Sequence, residues 1–158
     1  MRHRWAAFVL VLTLCVTVPQ VAGAQEATPP ARDEPTAQLG RNYPNPFNPE
    51  TRIPFAVGNA PTCTEHGKFY RVTLKIYNLL SQLVAVPVLQ GGGGVSSVTS
   101  ESGKPLENVA LTCDKYTAYW DGKDMRTAKD APSGIYYYRL DVEGKKPLVR
   151  KMVVTKEP

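Results

Sequence analysis

The chain has 158 residues, 42% of them hydrophobic and 21% charged, with 14 Pro and 12 Gly; that is one domain's worth of chain and enough apolar content for a core. Pro and Gly recur too often for a collagen-like, coiled-coil or long-helix class, and an α/β barrel needs about 250 residues. The formal net charge of +5 falls to +3 if the N-terminal leader, with Arg2 and Arg4, is removed, a weak basic balance that argues against a nucleic-acid partner.

Arg2, His3 and Arg4 open the chain, Trp5 to Val18 is almost unbroken apolar sequence, and Ala22-Gly23-Ala24 follows. An apolar run of about 14 residues is too short to span a bilayer, and the small-x-small triplet suits a signal peptidase. Residues 1–24 are therefore expected to be a signal peptide cleaved between Ala24 and Gln25. No transmembrane segment is expected after cleavage, and an uncleaved anchor is the rival reading. A lipoprotein reading would use Cys15, but bulky Leu14 precedes it. Residues 25–38, with Pro29, Pro30 and Pro35 and no periodicity, read as a disordered, solvated linker.

From residue 39 to 158, period-2 patterns dominate. Ile53, Phe55 and Val57 alternate in Thr51–Val57, and Val72, Leu74 and Ile76 alternate against Thr73, Lys75 and Tyr77. Leu83–Leu89 is apolar, but Pro87 lacks an N–H and makes it an edge strand or a bulge. Tyr116–Trp120 is a short aromatic run. In Ile135–Val142, Tyr136, Tyr138, Leu140 and Val142 share one face. Leu148–Lys156 closes the chain, with Arg150 on the parity of Leu148, Met152 and Val154, which predicts a bulge or a snorkelling side chain. Six or seven short strands without an amphipathic helix predict an all-β, antiparallel sandwich.

Two insertions interrupt the strands. Gly58 to Lys68 holds Cys63, and Gly91 to Asp114 holds Gly91–Gly94 and Cys113. Cys15 leaves with the leader, so Cys63 and Cys113 would form one disulfide in an oxidising compartment. A zinc site would need a second Cys pair, and His66 is the one histidine after the leader. The glycine run reads as flexible filler, because no helix follows it to cradle a phosphate.

Asn42-Tyr43-Pro44-Asn45-Pro46-Phe47-Asn48-Pro49 is an unusual octet. Its prolines would hold the chain extended, its Asn side chains can close turns, and Tyr43 and Phe47 are available as apolar anchors. The octet resembles the opening of an immunoglobulin-like module at the C-termini of secreted bacterial proteins, known as the type IX secretion sorting domain or the flagellar hook-capping Ig-like domain. Val72–Leu80, ending in Ile76-Tyr77-Asn78-Leu79-Leu80, is similar to that family's alternating strand. Trp120-Asp121-Gly122-Lys123-Asp124 resembles its Trp-Asp-Gly-x-Asp turn. Pro132-Ser133-Gly134-Ile135-Tyr136-Tyr137-Tyr138-Arg139-Leu140 resembles its penultimate strand, and Arg150-Lys151-Met152-Val153-Val154 its terminal strand. Ser81, and Thr127 or Ala128, stand where the family usually carries Gly; both insertions and the cysteine pair are additions. The resemblance implies an Ig-like fold and a terminal hairpin read by a secretion translocon.

Asp121, Asp124 and Asp130 lack the spacing of an EF-hand and are expected to cap backbone N–H groups rather than hold calcium. Trp120 and the tyrosines read as core or cross-strand pairs before a ligand platform. Lys145, Lys146, Arg150, Lys151 and Lys156 give the last hairpin a basic face. No nucleophile-elbow pattern surrounds His66, so no catalytic, cofactor-binding or metal site is assigned. The expected function is a non-catalytic structural or interaction protein of the envelope or cell surface, with a protein partner. The alternative is a periplasmic accessory subunit that docks on a multi-subunit complex.

Overall fold

Alternating apolar residues make strands in this chain because each strand has one face to bury. The computed structural model describes residues 37–92 and 102–156. The expected signal peptide, the Ala24–Gln25 cleavage point and the linker up to residue 36 lie outside the described residues. The strands are β1 (Ala37–Leu39), β2 (Thr51–Val57), β3 (Phe69–Tyr77), β4 (Leu83–Ala85), β5 (Val88–Gly92), β6 (Val109–Thr112), β7 (Asp114–Trp120), β8 (Gly134–Val142) and β9 (Leu148–Val154). There is no helix among the described residues. The first strand begins at Ala37, so Ala37 and Gln38, expected in the linker, pair with Val57 and Ala56 of β2.

Two antiparallel sheets form, one of four strands in the order β1-β2-β7-β5, the other of five, in the order β4-β3-β8-β9 with β6 also on β3. The arrangement is sandwich-like, because both sheets feed one core. Ile53, Phe55, Leu89, Tyr116, Ala118 and Trp120 enter it from the first sheet, and Val72, Leu74, Ile76, Tyr138, Leu140 and Met152 from the second. Fully burying a side chain such as Leu74 or Ile76 stabilises by about 1.5–3 kcal/mol, which fixes the register that the period-2 pattern suggested.

Nine strands replace the six or seven expected, and two local reasons account for the difference. The apolar run 83–89 divides at Val86-Pro87, and its halves join different sheets: β4 pairs with β3, and β5 pairs with β7. Pro87 is thus a corner between the layers, where its missing N–H costs no ladder bond. The second insertion, in which no strand was expected, contributes β6, which pairs with Phe69–Val72 of β3. It also contributes Leu106, which is 0% exposed. β6 escaped notice because Val109, Leu111 and Thr112 give too short a run to register as alternation.

Pairing between β8 and β9 runs without a shift from Gly134↔Val154 to Leu140↔Leu148. Arg150 therefore needs no bulge. Its guanidinium snorkels out between the sheets, and its Nε donates to the Leu39 carbonyl of β1 at 2.6 Å.

Candidate functional site

The octet, the Trp-Asp-Gly turn and the last two strands are far apart in sequence, and the fold brings them together at one end of the β2–β7 ladder. Thr51 faces Trp120 at that end, and Val57 faces Asp114 at the other. The Cys63–Cys113 disulfide closes at the other end, with Cα atoms 5.5 Å apart. The two features that stood out in the sequence thus occupy opposite ends of one strand pair.

Phe47 is the octet's anchor. It is 2% exposed and packs edge-on against Trp120 at 5.4 Å between ring centres. Trp120 in turn meets Tyr136 edge-on at 5.8 Å, and its Nε1 donates to the Lys123 carbonyl at 2.9 Å. Such edge-to-face pairs add about 0.5–1.5 kcal/mol each beyond burial. Tyr43, expected as a second anchor, is 52% exposed. Its backbone pairs with Arg52 in both directions, which holds the segment by hydrogen bonds and leaves the ring outside. The octet also bends at residues 44–46 and 48–49 instead of running straight.

Asn42 lies inside this knot. Its Nδ2 donates to the Pro44 carbonyl and to Thr51 Oγ1, both at 3.1 Å. Thr51 Oγ1 donates to the same Pro44 carbonyl at 3.0 Å. Asn42 Oδ1 is buried without a partner. The buried Tyr138 hydroxyl accepts from Asn42 N at 3.1 Å and donates to the Gly40 carbonyl at 2.8 Å. Burial, the larger influence, holds the Tyr138 phenol above the ordinary tyrosine range. Thr51, Gly40 and Tyr138 were not singled out in the sequence as partners of the octet; only the Asn-rich composition hinted at turn closure.

The Asp-rich turn is closed by its own side chains. Asp121 Oδ1 accepts from Lys123 N at 3.1 Å, and Asp124 Oδ1 accepts from Arg126 N at 2.8 Å. The Arg126 guanidinium bonded to Asp124 lowers that carboxyl's pKa. Asp130 instead faces Lys156 at 3.6 Å. Gly122 has φ +77°, and a Cβ there would overlap the Pro49 carbonyl, so the turn and the octet touch through a position that only glycine fits. Among the described residues no group of three His, Cys, Asp or Glu is placed to hold a metal ion. His66 is exposed on the loop that carries Cys63.

The terminal strand completes the site. Asn45 Oδ1 accepts from Val153 N at 2.9 Å, Phe47 N donates to Val153 O at 3.1 Å, and Thr155 N donates to Phe47 O at 3.0 Å. Phe47 and Val154 form a parallel bridge, so the octet covers the last part of β9 at that one residue. Met152 and Val154 are buried beneath it, while Arg150 and Lys151 are exposed. Gly134 opens β8 opposite Val154. The arrangement is a strand clamped at its end, with Arg150 and Lys151 exposed before it.

Comparison with family models, with curated proteins and with solved structures gave no match to this chain.

Proposed function

We propose that this chain is a non-catalytic, exported Ig-like module whose β8–β9 hairpin is a sorting and recognition element of the type IX kind, delivering it to the cell envelope or surface. The observation that carries the reading is the convergence of the octet, the Trp120 turn and β8 on β9. The octet holds the end of β9 directly, through Asn45 and Phe47, and the Trp120 turn packs behind it. The disulfide adds weight to an oxidising, extracytoplasmic setting. The exposed Lys145, Lys146, Arg150 and Lys151 supply the charge a partner protein would read.

Fractionation of the native organism tests it. Deleting residues 148–158 should strand the protein in the periplasm. Because that deletion also removes Met152 and Val154 from the core, a second variant changes Lys145, Lys146 and Lys151 to Gln and leaves the packing intact. Surface delivery of both variants at the level of the parent chain would refute the export reading.

A second reading, an envelope subunit docked on a larger complex, draws on the outer face of the second sheet. There Ile135, Tyr137 and Val149 are exposed on neighbouring strands, an apolar patch of the kind that protein partners cover. Co-purification with other subunits under gentle extraction is its expected result, and recovery as a lone monomer counts against it.

A further inference from the structure

In an antiparallel ladder, alternate residues turn their backbone groups to opposite sides. Val153 exchanges its outward N–H and C=O with Asn45 and Phe47, so Lys151 and Val149 also turn theirs away from β8. Among the described residues, no backbone group pairs with them on that side. The edge of β9 is therefore half covered: its last part is paired with the octet, and its first part is open. Beside the open part lies a cleft of about 400 Å³, lined by Ala37, Gln38, Leu39, Leu148, Val149 and Arg150. Val149 is 56% exposed there.

We infer that the open edge at Val149–Lys151 binds an extended, acidic peptide segment of a partner protein as an added β-strand. Main-chain hydrogen bonds to Val149 and Lys151 supply affinity, and side-chain contacts supply selection. Phe47 shows that this edge accepts main-chain pairing from another segment, through a single bridge one step further along. Charge selects the occupant. Leu148–Val154 carries Arg150 and Lys151 and no carboxylate, and Lys145 and Lys146 stand in the turn before it. A second copy of the same edge would set Arg150 against Arg150, whereas an acidic strand meets Arg150 and Lys151, with Lys145 and Lys146 outnumbering Glu143 in the turn. This deepens the proposed function by naming the mode of recognition, and it rests on the reading of β9 as the recognition strand.

Amide hydrogen exchange on the purified chain tests the inference, with the synthetic peptide Thr-Glu-Val-Glu-Val-Glu-Thr as probe and its Glu→Lys counterpart as control. In the free chain, Val149 and Lys151 should exchange much faster than Val153 and Thr155. Adding the acidic peptide should slow Val149 and Lys151 by about ten-fold or more, since they then enter a ladder. Lys151→Pro removes an outward N–H that no β8 carbonyl uses, so it should fold with a near-unchanged melting temperature and lose peptide protection. Slow exchange at both amides in the free chain would overturn the inference, because the edge would already be covered by this chain or a second copy. Equal protection by the Lys peptide, or full protection in the Lys151→Pro chain at Val149, would overturn it too. Its failure is separable from that of the export reading. Peptide binding with unchanged surface delivery of both variants refutes export alone; lost delivery without peptide protection refutes strand addition alone.

Discussion

Tyr138 and Gly40 lie 98 residues apart, and the fully buried Tyr138 hydroxyl donates to the Gly40 carbonyl at 2.8 Å. The same oxygen accepts from Asn42 N. One phenol on the penultimate strand thus fixes the chain as it leaves β1 and enters the octet. Replacing Tyr138 by Phe keeps the ring and strands two main-chain groups, of which the Asn42 amide belongs to a buried residue. Each buried group left unpaired costs about 1–3 kcal/mol, so Tyr138→Phe should destabilise by about 3 kcal/mol. Urea denaturation should show a lower midpoint with an unchanged slope. A loss below about 1 kcal/mol would mean that the octet holds its place without this bond.

The disulfide closes a loop with a sequence separation of 50, which in the chain-entropy model is worth about 4 kcal/mol. Gly58 sits against it with φ +70°, and a Cβ there would lie 2.7 Å from Cys113 Sγ and 2.9 Å from its Cβ. Gly58→Ala should therefore destabilise the oxidised chain through both backbone and contact, whereas Gly67→Ala meets open space and suffers only the backbone cost. Thermal melts of both variants, with and without reductant, separate the two effects. If the two alanine variants melt together when oxidised, Gly58 is not needed for packing on the bridge.

Much of this fold was legible because burial and parity agree. β2 matches the expected Thr51–Val57 run, and the four residues placed on one face of β8 are all buried. The Cys63–Cys113 pairing was legible because the expected leader takes Cys15 and leaves two thiols to pair. What escaped notice depended on distant partners. Tyr43 and Phe47 are equivalent apolar anchors on paper, but only Phe47 finds aromatic neighbours, in Trp120. Pro87 announced a break in one strand, not a change of sheet, because a corner is defined by which layer the next residues meet. Val109–Thr112 pairs only through β3, more than 30 residues away along the chain, and no local pattern carries that information. Of the candidate site, the motif blocks were visible and their convergence was not, because it runs through Thr51, Gly40 and the edge of β9.

Burial, first among the causes, raises the pKa of Tyr116, Tyr136 and Tyr138 above the ordinary value of about 10. As pH rises, the unfolded chain ionises these phenols before the folded chain does. Their contribution to stability is complete below about pH 10 and is lost as pH climbs through the folded values. An absorbance titration at high pH, followed beside far-ultraviolet circular dichroism, checks this. Some of the eight tyrosines should ionise only as the β signal collapses. Ionisation of all of them with the β signal intact would contradict burial as the cause.

Ser81 and Ala128 have φ +58° and +55°, in the left-handed region that favours glycine. The left-handed conformation costs an L-residue about 1–2 kcal/mol. Ser81 sits in a turn where the Asn78 carboxamide accepts from Leu80 N and Gln82 N. Ala128 closes the Asp-rich turn, with its N–H donating to the Asp124 carbonyl at 2.8 Å. Both side chains are exposed. Ala128→Gly should relieve the backbone while adding freedom to the unfolded chain, for a net gain of about 0.5 kcal/mol. The double variant with Ser81→Gly should add a similar amount, because the turns share no partner. Calorimetric melting temperatures that fall in both single variants would show that the turns are held by something other than their φ angles.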